Sequence, residues 1–290
     1  MSSPATSCPF CDSTRLRPHW RKGGFAFTRC PDCELIFVDP VPSEAEVAAF
    51  YEGAFFSGAG GAGYVNYDRE QRWRTRNYRR DLAVMESLQP GGRMLDVGCA
   101  TGSFMKICGP NWQTYGQEVS HFAGEQARQA FGKDRIFIGK LGDAPFAERS
   151  FDFITLWETI NHMVDPRSEL REMARFCKPG GYLALSVGDV GCALARVMGR
   201  YWYHVTPPIH IWFFTRVTMT RILDEAGFDI VRCDYPGKYV DVATAIERMK
   251  DACPVKPMLA FTRWAGRQGW TGRYLYINLM DTMYVYARRR

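Results

Sequence analysis

The stretch Arg93-Met94-Leu95-Asp96-Val97-Gly98-Cys99-Ala100-Thr101-Gly102 constrains this chain more than any other. Residues 94–97 read as a short buried strand running into a tight turn of small residues. A helix is expected to start near Ser103. A strand that ends in a turn with two glycines and then feeds a helix makes a loop suited to a nucleotide. Glycine lacks Cβ, so the backbone can come close to a ligand and can take φ > 0. Asp96, at the strand end, is placed to accept hydrogen bonds from loop amides or from a ligand amine. The spacing Asp-x-Gly-x-Ala-x-Gly does not fit the dinucleotide pattern Gly-x-Gly-x-x-Gly.

The segments that follow repeat this unit. Strands are expected at 113–118, 135–139, 150–157 and 182–187, with helical patterns between them. This alternation argues for a parallel sheet with helices on both faces. Residues 214–227 read as another helix, and 228–235 and 283–287 as two further strands.

The Asp96-to-Gly102 pattern resembles motif I of the class I S-adenosylmethionine-dependent methyltransferases, which usually carry glycine where Ala100 stands. His162-x-x-Asp165-Pro166 after the fourth strand resembles the same family. So does Lys178-Pro179-Gly180-Gly181 before the fifth. The resemblance covers about residues 90–235 plus the last strand. It implies an α/β fold: a doubly wound, seven-stranded Rossmann-like methyltransferase sheet whose last strand is antiparallel. It implies S-adenosylmethionine as cofactor, cradled by Gly98, Cys99, Ala100 and Gly102. It also implies that Glu118, 22 residues beyond Asp96, takes the ribose hydroxyls. The family commonly has an acid after its third strand, near the adenine. Asp143 is the nearest carboxylate here, a competing alignment puts Lys140 there, and Leu141 is expected to pack on the ring. Trp157, at the carboxyl end of the fourth strand, and Tyr67 complete the candidate cofactor-binding residues. An ordinary glycine turn and a surface glutamate are the plainer alternatives for the loop and for Glu118.

Cys8-x-x-Cys11 and Cys30-x-x-Cys33 form two knuckles eighteen residues apart, the spacing of a four-cysteine zinc ribbon. Four thiolates close a tetrahedral site, so the expected zinc is structural. A redox pair or two disulfides are the alternatives, but no βαβ unit lies nearby. About 40 residues bury too little apolar surface to fold alone, so the metal is expected to supply the stability. Chelation should then unfold this segment and leave the rest folded. The expected organisation is a ribbon at 1–42, a helical segment at 43–90 capping the cofactor site, and a core at 91–290. Insertions are expected at 190–213 and 237–280.

Six arginines between Arg69 and Arg80 offer either a phosphate-binding face or a solvated helix face. The insertions hold many aromatics, which either cover an apolar acceptor or simply pack onto the core. The candidate catalytic bases are His162, His204, His210 and Glu158. Histidine titrates near neutrality, and three of the five histidines are among these candidates, two of them in the first insertion.

A small-molecule acceptor is the expected partner. An RNA methyltransferase gripping its substrate through the ribbon and the arginine helix is the alternative, and a non-catalytic zinc scaffold is another. The net charge of +6 permits nucleic acid without demanding it. No apolar run is long enough to span a membrane, and residues 1–4 lack the features of a signal peptide, so a cytoplasmic protein is expected. The sequence leaves the oligomeric state open.

Overall fold

The computed structural model describes residues 4–53, 67–242, 264 and 273–290. Three strands come first: β1 (Arg17–Lys22), β2 (Phe25–Arg29) and β3 (Ile36–Val38). Helices α1 (Glu44–Gly53) and α2 (Tyr67–Leu88) follow. Ser43 and Glu46 cap α1 reciprocally: the Ser43 N–H donates to Glu46 Oε2 at 2.8 Å and the Glu46 N–H to Ser43 Oγ at 3.3 Å.

The chain then runs through β4 (Gly92–Val97), β5 (Trp112–Glu118), α3 (His121–Phe131), β6 (Ile136–Ile138) and β7 (Phe151–Trp157). Next come α4 (Pro166–Phe176), β8 (Cys177–Gly188), α5 (Ala193–Met198), β9 (Trp212–Phe213) and α6 (Arg216–Glu225). The last strands are β10 (Phe228–Asp234), β11 (Lys238–Asp241), β12 (Tyr274–Ile277) and β13 (Thr282–Arg289).

Seven strands form one sheet in the order β10-β13-β8-β7-β4-β5-β6. Strands β4 to β8 are parallel, and β13 inserts antiparallel to β8 and β10. Side chains alternate across this sheet as its pleat requires. Met94, Phe153 and Tyr284 join a buried cluster with Leu82, Met85 and Phe104. Leu95, Ile154 and Val285 point the other way, into a cluster with Met173, Phe176 and Ile222. The strand order reverses direction between β4 and β7, so their carboxyl ends open a crevice there.

The helix expected near Ser103 is reduced to turns and one 3₁₀ turn, Met105–Ile107. Gly109 and Pro110 stop it after a few residues, and β5 begins at Trp112. Residues 4–38 do not stand apart from the sheet. β9 pairs antiparallel with β3, Phe213 opposite Ile36 and Trp212 opposite Phe37, which gives a four-stranded sheet β1-β2-β3-β9. Phe10, Phe27 and Leu35 share one buried cluster with Val187, Phe214 and Met219. The glycine-rich loop at 58–63, Tyr64 and Trp270 lie outside the described residues, as does the side chain of Tyr67 at the head of α2.

Candidate functional site

The β4 strand delivers the chain into a loop with three alternate positions at positive φ: Gly98 at 70°, Ala100 at 48° and Gly102 at 75°. A Cβ on Gly98 would lie 2.5 Å from the Thr159 side chain, so both conformation and space demand glycine there. Ala100 adopts the left-handed backbone that glycine would take without strain. Glu118, at the end of β5, holds this turn. Its Oε2 accepts from the Ala100 N–H at 2.8 Å and its Oε1 from the Ser120 N–H at 2.9 Å. Burial raises the Glu118 pKa, and these backbone bonds oppose it. Each carboxylate oxygen keeps a second lone pair for another donor.

Asp96 is 3% exposed and accepts from Thr155 Oγ1 at 2.7 Å. Burial pushes its pKa up to about 7, with the Thr155 bond opposing and the Glu118 charge adding. Cys99 is buried beneath the loop. The loop therefore brings Asp96, Gly98, Cys99, Ala100, Gly102 and Glu118 together. Leu141 and Asp143 lie in the 3₁₀ turn that follows β6. Leu141 is completely buried, which leaves it no surface to offer a ligand, and Asp143 is exposed. Val119 and Phe122, 53% and 56% exposed, are the open apolar side chains beside Glu118. Their signal in the sequence was position alone, directly after the acid.

On the β7 side of the crevice, Trp157 packs edge-on to Phe104 at 5.1 Å and against Tyr284 at 6.2 Å. A cleft lies here among Trp73, Tyr78 and Asp81 of α2, Trp157 at the end of β7, Glu158 after it, Lys238 of β11 and Tyr284 of β13. Glu158 has φ +56° and receives Lys238 Nζ on Oε1 at 2.5 Å, with Arg74 Nη1 3.8 Å from Oε2. Burial acts to raise its pKa, yet Lys238, Arg74 and His204 outweigh it and hold the carboxyl well below the usual range. Asp81 is pushed up to about 6 by burial, against the pull of Arg80. Arg74 was legible only as one of the α2 arginines, and Lys238 and Asp81 carried no signal in the sequence, because β11 and α2 meet only in the folded chain.

The three candidate histidines do meet. The rings of His162 and His210 lie 4.7 Å apart, edge to face, and those of His204 and His210 5.9 Å apart. His210 Nδ1 contacts the His204 carbonyl oxygen. Burial lowers the His162 pKa well below its ordinary value, His210 lowers it further, and Glu158 opposes both. His162 is therefore neutral near pH 7. The β9 strand sets His210: the Ile211 N–H donates to the Asn161 carbonyl at 2.9 Å, and Trp212 Nε1 to that of Met163 at 2.7 Å.

The arginines of α2 are neither a free phosphate-binding face nor a simply solvated one where described. The Arg76 guanidinium lies 4.7 Å from the Tyr274 ring, and Arg80 lies 4.8 Å from that of Tyr284 while bonding Asp81.

The sulfur ligand atoms of Cys8, Cys11, Cys30 and Cys33 lie within 4.8 Å of one another. Cys8 and Cys33 are 3.5 Å apart, as are Cys11 and Cys30. Tetrahedral Zn–S bonds of about 2.3 Å put sulfurs roughly 3.8 Å apart, so the four fit a zinc ion. Asp12 and Glu34, each just after the second cysteine of its knuckle, share the left-handed conformation at φ 58° and 62°. Among the described residues, no other set of three or more His, Cys, Asp or Glu groups converges in this way.

Residues 69–232, more than half of the chain, match a family described as a methyltransferase domain. The chain is 29% identical to the O-methyltransferase cnsE of Penicillium expansum over 185 residues, 60% of this chain and 62% of that protein. It is 31% identical to a demethylmenaquinone methyltransferase of Geobacillus kaustophilus over 126 residues, 40% of this chain and 52% of that one. It thus spans about half to three-fifths of the length of these curated relatives. The YcgJ protein of Bacillus subtilis superposes with a TM-score of 0.51 at 16% identity, covering 72% of this chain and 97% of that one, a likeness of fold. Among the described residues no helix is long and apolar enough to cross a membrane.

Proposed function

The chain belongs to the methyltransferase-domain family, and from that premise we propose that it moves the methyl group of S-adenosylmethionine to a small-molecule acceptor. The single observation that carries this reading is the pairing of Glu118 with the Ala100 amide across the 98–102 loop. It presents a buried carboxylate and an open glycine turn side by side, where a nucleoside would be gripped. The residues fit that group. Gly98 and Gly102 give the loop its left-handed turns, Glu118 would take the ribose hydroxyls, and Val119 and Phe122 offer apolar surface for the purine. The bound cofactor supplies a methyl group already activated on a sulfonium.

The chain's own task is to place an acceptor atom in line with that methyl. Positioning of this kind is worth on the order of 7 to 11 kcal/mol. The cleft over Trp157 and Glu158 is the acceptor side, since it lies across the switch point from Glu118. Glu158 is engaged by Lys238 and Arg74, which makes it a weak proton acceptor. Of the candidate bases, His162 is likewise held well below its ordinary pKa by burial, so no strong base is assigned to the acceptor side. The names of the relatives, an O-methyltransferase and a demethylmenaquinone methyltransferase, support a small-molecule acceptor. The four-cysteine cluster is read as a structural zinc site whose ligand set leaves no open position for catalysis.

Calorimetric titration with S-adenosylhomocysteine tests the reading. Glu118→Gln is expected to weaken binding by about 1 to 3 kcal/mol, the value of a lost charge-assisted bond. Equal affinity in the wild type and the variant would remove Glu118 from the cofactor site. No binding by the wild type would remove the cofactor itself.

A further inference from the structure

The cleft beside Glu158 has a chemistry of its own. Lys238 is 20% exposed and Arg74 12% exposed, and both cations close on the one carboxylate of Glu158 from β11 and α2. Each also lies against an aromatic wall. The Arg74 guanidinium is 5.1 Å from the Trp73 ring, and Lys238 Nζ is 5.9 Å from that of Tyr284. Trp157 forms a further flat side. A cationic amine entering here would meet Lys238 and Arg74, with Glu158 already matched by those two and Asp81 by Arg80. A planar molecule carrying an oxyanion would find ring surface for its body and donors for its charge. Partly desolvated donors of this kind bind an anion more strongly than they would in water.

We propose that the acceptor is an acidic hydroxyl on a planar ring, a phenol or enol, bound as its anion to Lys238 and Arg74. This rests on the methyltransferase reading above and adds the substrate class. The hydroxyl proton leaves to solvent on binding. An oxygen lone pair then forms the new O–CH3 bond while the S–CH3 bond breaks. Its electron pair stays on sulfur, so the sulfonium becomes a neutral thioether and the acceptor a neutral ether. Lys238 and Arg74 thus do the work of a base by favouring the ionised hydroxyl, and Glu158 keeps them in place.

The test uses the whole chain saturated with S-adenosylhomocysteine and 4-nitrophenol as the probe, because its anion absorbs visible light. Titrating the probe with pH should show its apparent pKa lowered by about one unit when bound, a tenfold preference for the anion. Lys238→Met should abolish most of that shift, and Lys238→Arg should keep it. Arg74→Gln gives a second reading on the other cation. S-adenosylhomocysteine binding by each variant reports that it is folded. Benzylamine, a cationic probe of similar size, should not bind. The proposal is overturned if 4-nitrophenol binds without a pKa shift, if the shift survives Lys238→Met and Arg74→Gln, if benzylamine binds as well, or if 4-nitrophenol does not bind at all. In those cases an intact S-adenosylhomocysteine site leaves the methyltransferase reading standing. Loss of that site in the wild type would sink both.

Discussion

Ala100 carries a left-handed backbone that costs a residue with a Cβ about 1 to 2 kcal/mol. The Glu118 carboxylate accepts its N–H and holds the turn in place, so strain and support sit in one loop. Asp96 shows the same trade in charge. Its pKa rises from 3.8 to about 7 because it is buried. Between those values the folded protein keeps a proton that the unfolded chain releases, so stability falls as pH rises through that window. Above it the penalty is complete, on the order of 4 kcal/mol. Asp96→Asn keeps an acceptor for Thr155 and removes the charge. The ligand-free variant is expected to melt several degrees higher than the wild type at about pH 8, at about 2–4 °C per kcal/mol, with a flatter pH dependence. Its affinity for S-adenosylhomocysteine should fall roughly tenfold, as a lost charge-assisted bond would predict. Melting curves at several pH values check this, and an unchanged pH dependence would mean another group titrates there.

At the scale of elements, α2 and the β11–β12 hairpin together build one side of the cleft proposed for the acceptor. Asn77 is the stitch between them: its Nδ2 donates to the Tyr239 carbonyl at 3.1 Å, and its Oδ1 accepts from the Tyr239 N–H at 2.9 Å. Lys238 is the next residue along that strand. Asn77→Ala removes two part-buried hydrogen bonds, worth about 0.5 to 1.5 kcal/mol each. We expect amide exchange in β11 to speed up and 4-nitrophenol affinity to drop about fivefold or more, with S-adenosylhomocysteine affinity unchanged. Slow exchange in β11 of the variant would show that the hairpin is held by other contacts. On the opposite side, β9 performs the matching task for His210, since its two residues pair with β3 and its flanks bond the segment after β7.

For the molecule as a whole, the four-cysteine knuckles are tied into the main core. Phe10 packs 5.2 Å from Trp212 and 5.9 Å from Phe214, and all three share the buried cluster of the sheet. Removing a metal held by these cysteines would therefore uncover core side chains as well as ribbon ones, which changes the expectation of a locally unfolding ribbon. Chelation should lower the melting temperature of the entire chain by about 10 °C or more in one cooperative transition. Trp212 fluorescence should change in step. Calorimetry that resolves a separate early transition, with the main one unmoved, would instead give the ribbon independence.

The order of strands and helices, the loop at 98–102, Glu118 and the cysteine knuckles were all legible in the sequence. Each depends on local physics: periodicity, the backbone freedom of glycine, and short ligand spacing. The helix expected after the loop was misjudged because Gly109 and Pro110 end it before a second turn. The meeting of His162, His204 and His210, the strand that β9 adds to the ribbon, and the Lys238–Glu158–Arg74 clamp belong to the tertiary structure alone. Their partners lie far apart along the chain, and no local pattern encodes which distant surfaces will be pressed together when the apolar faces are buried.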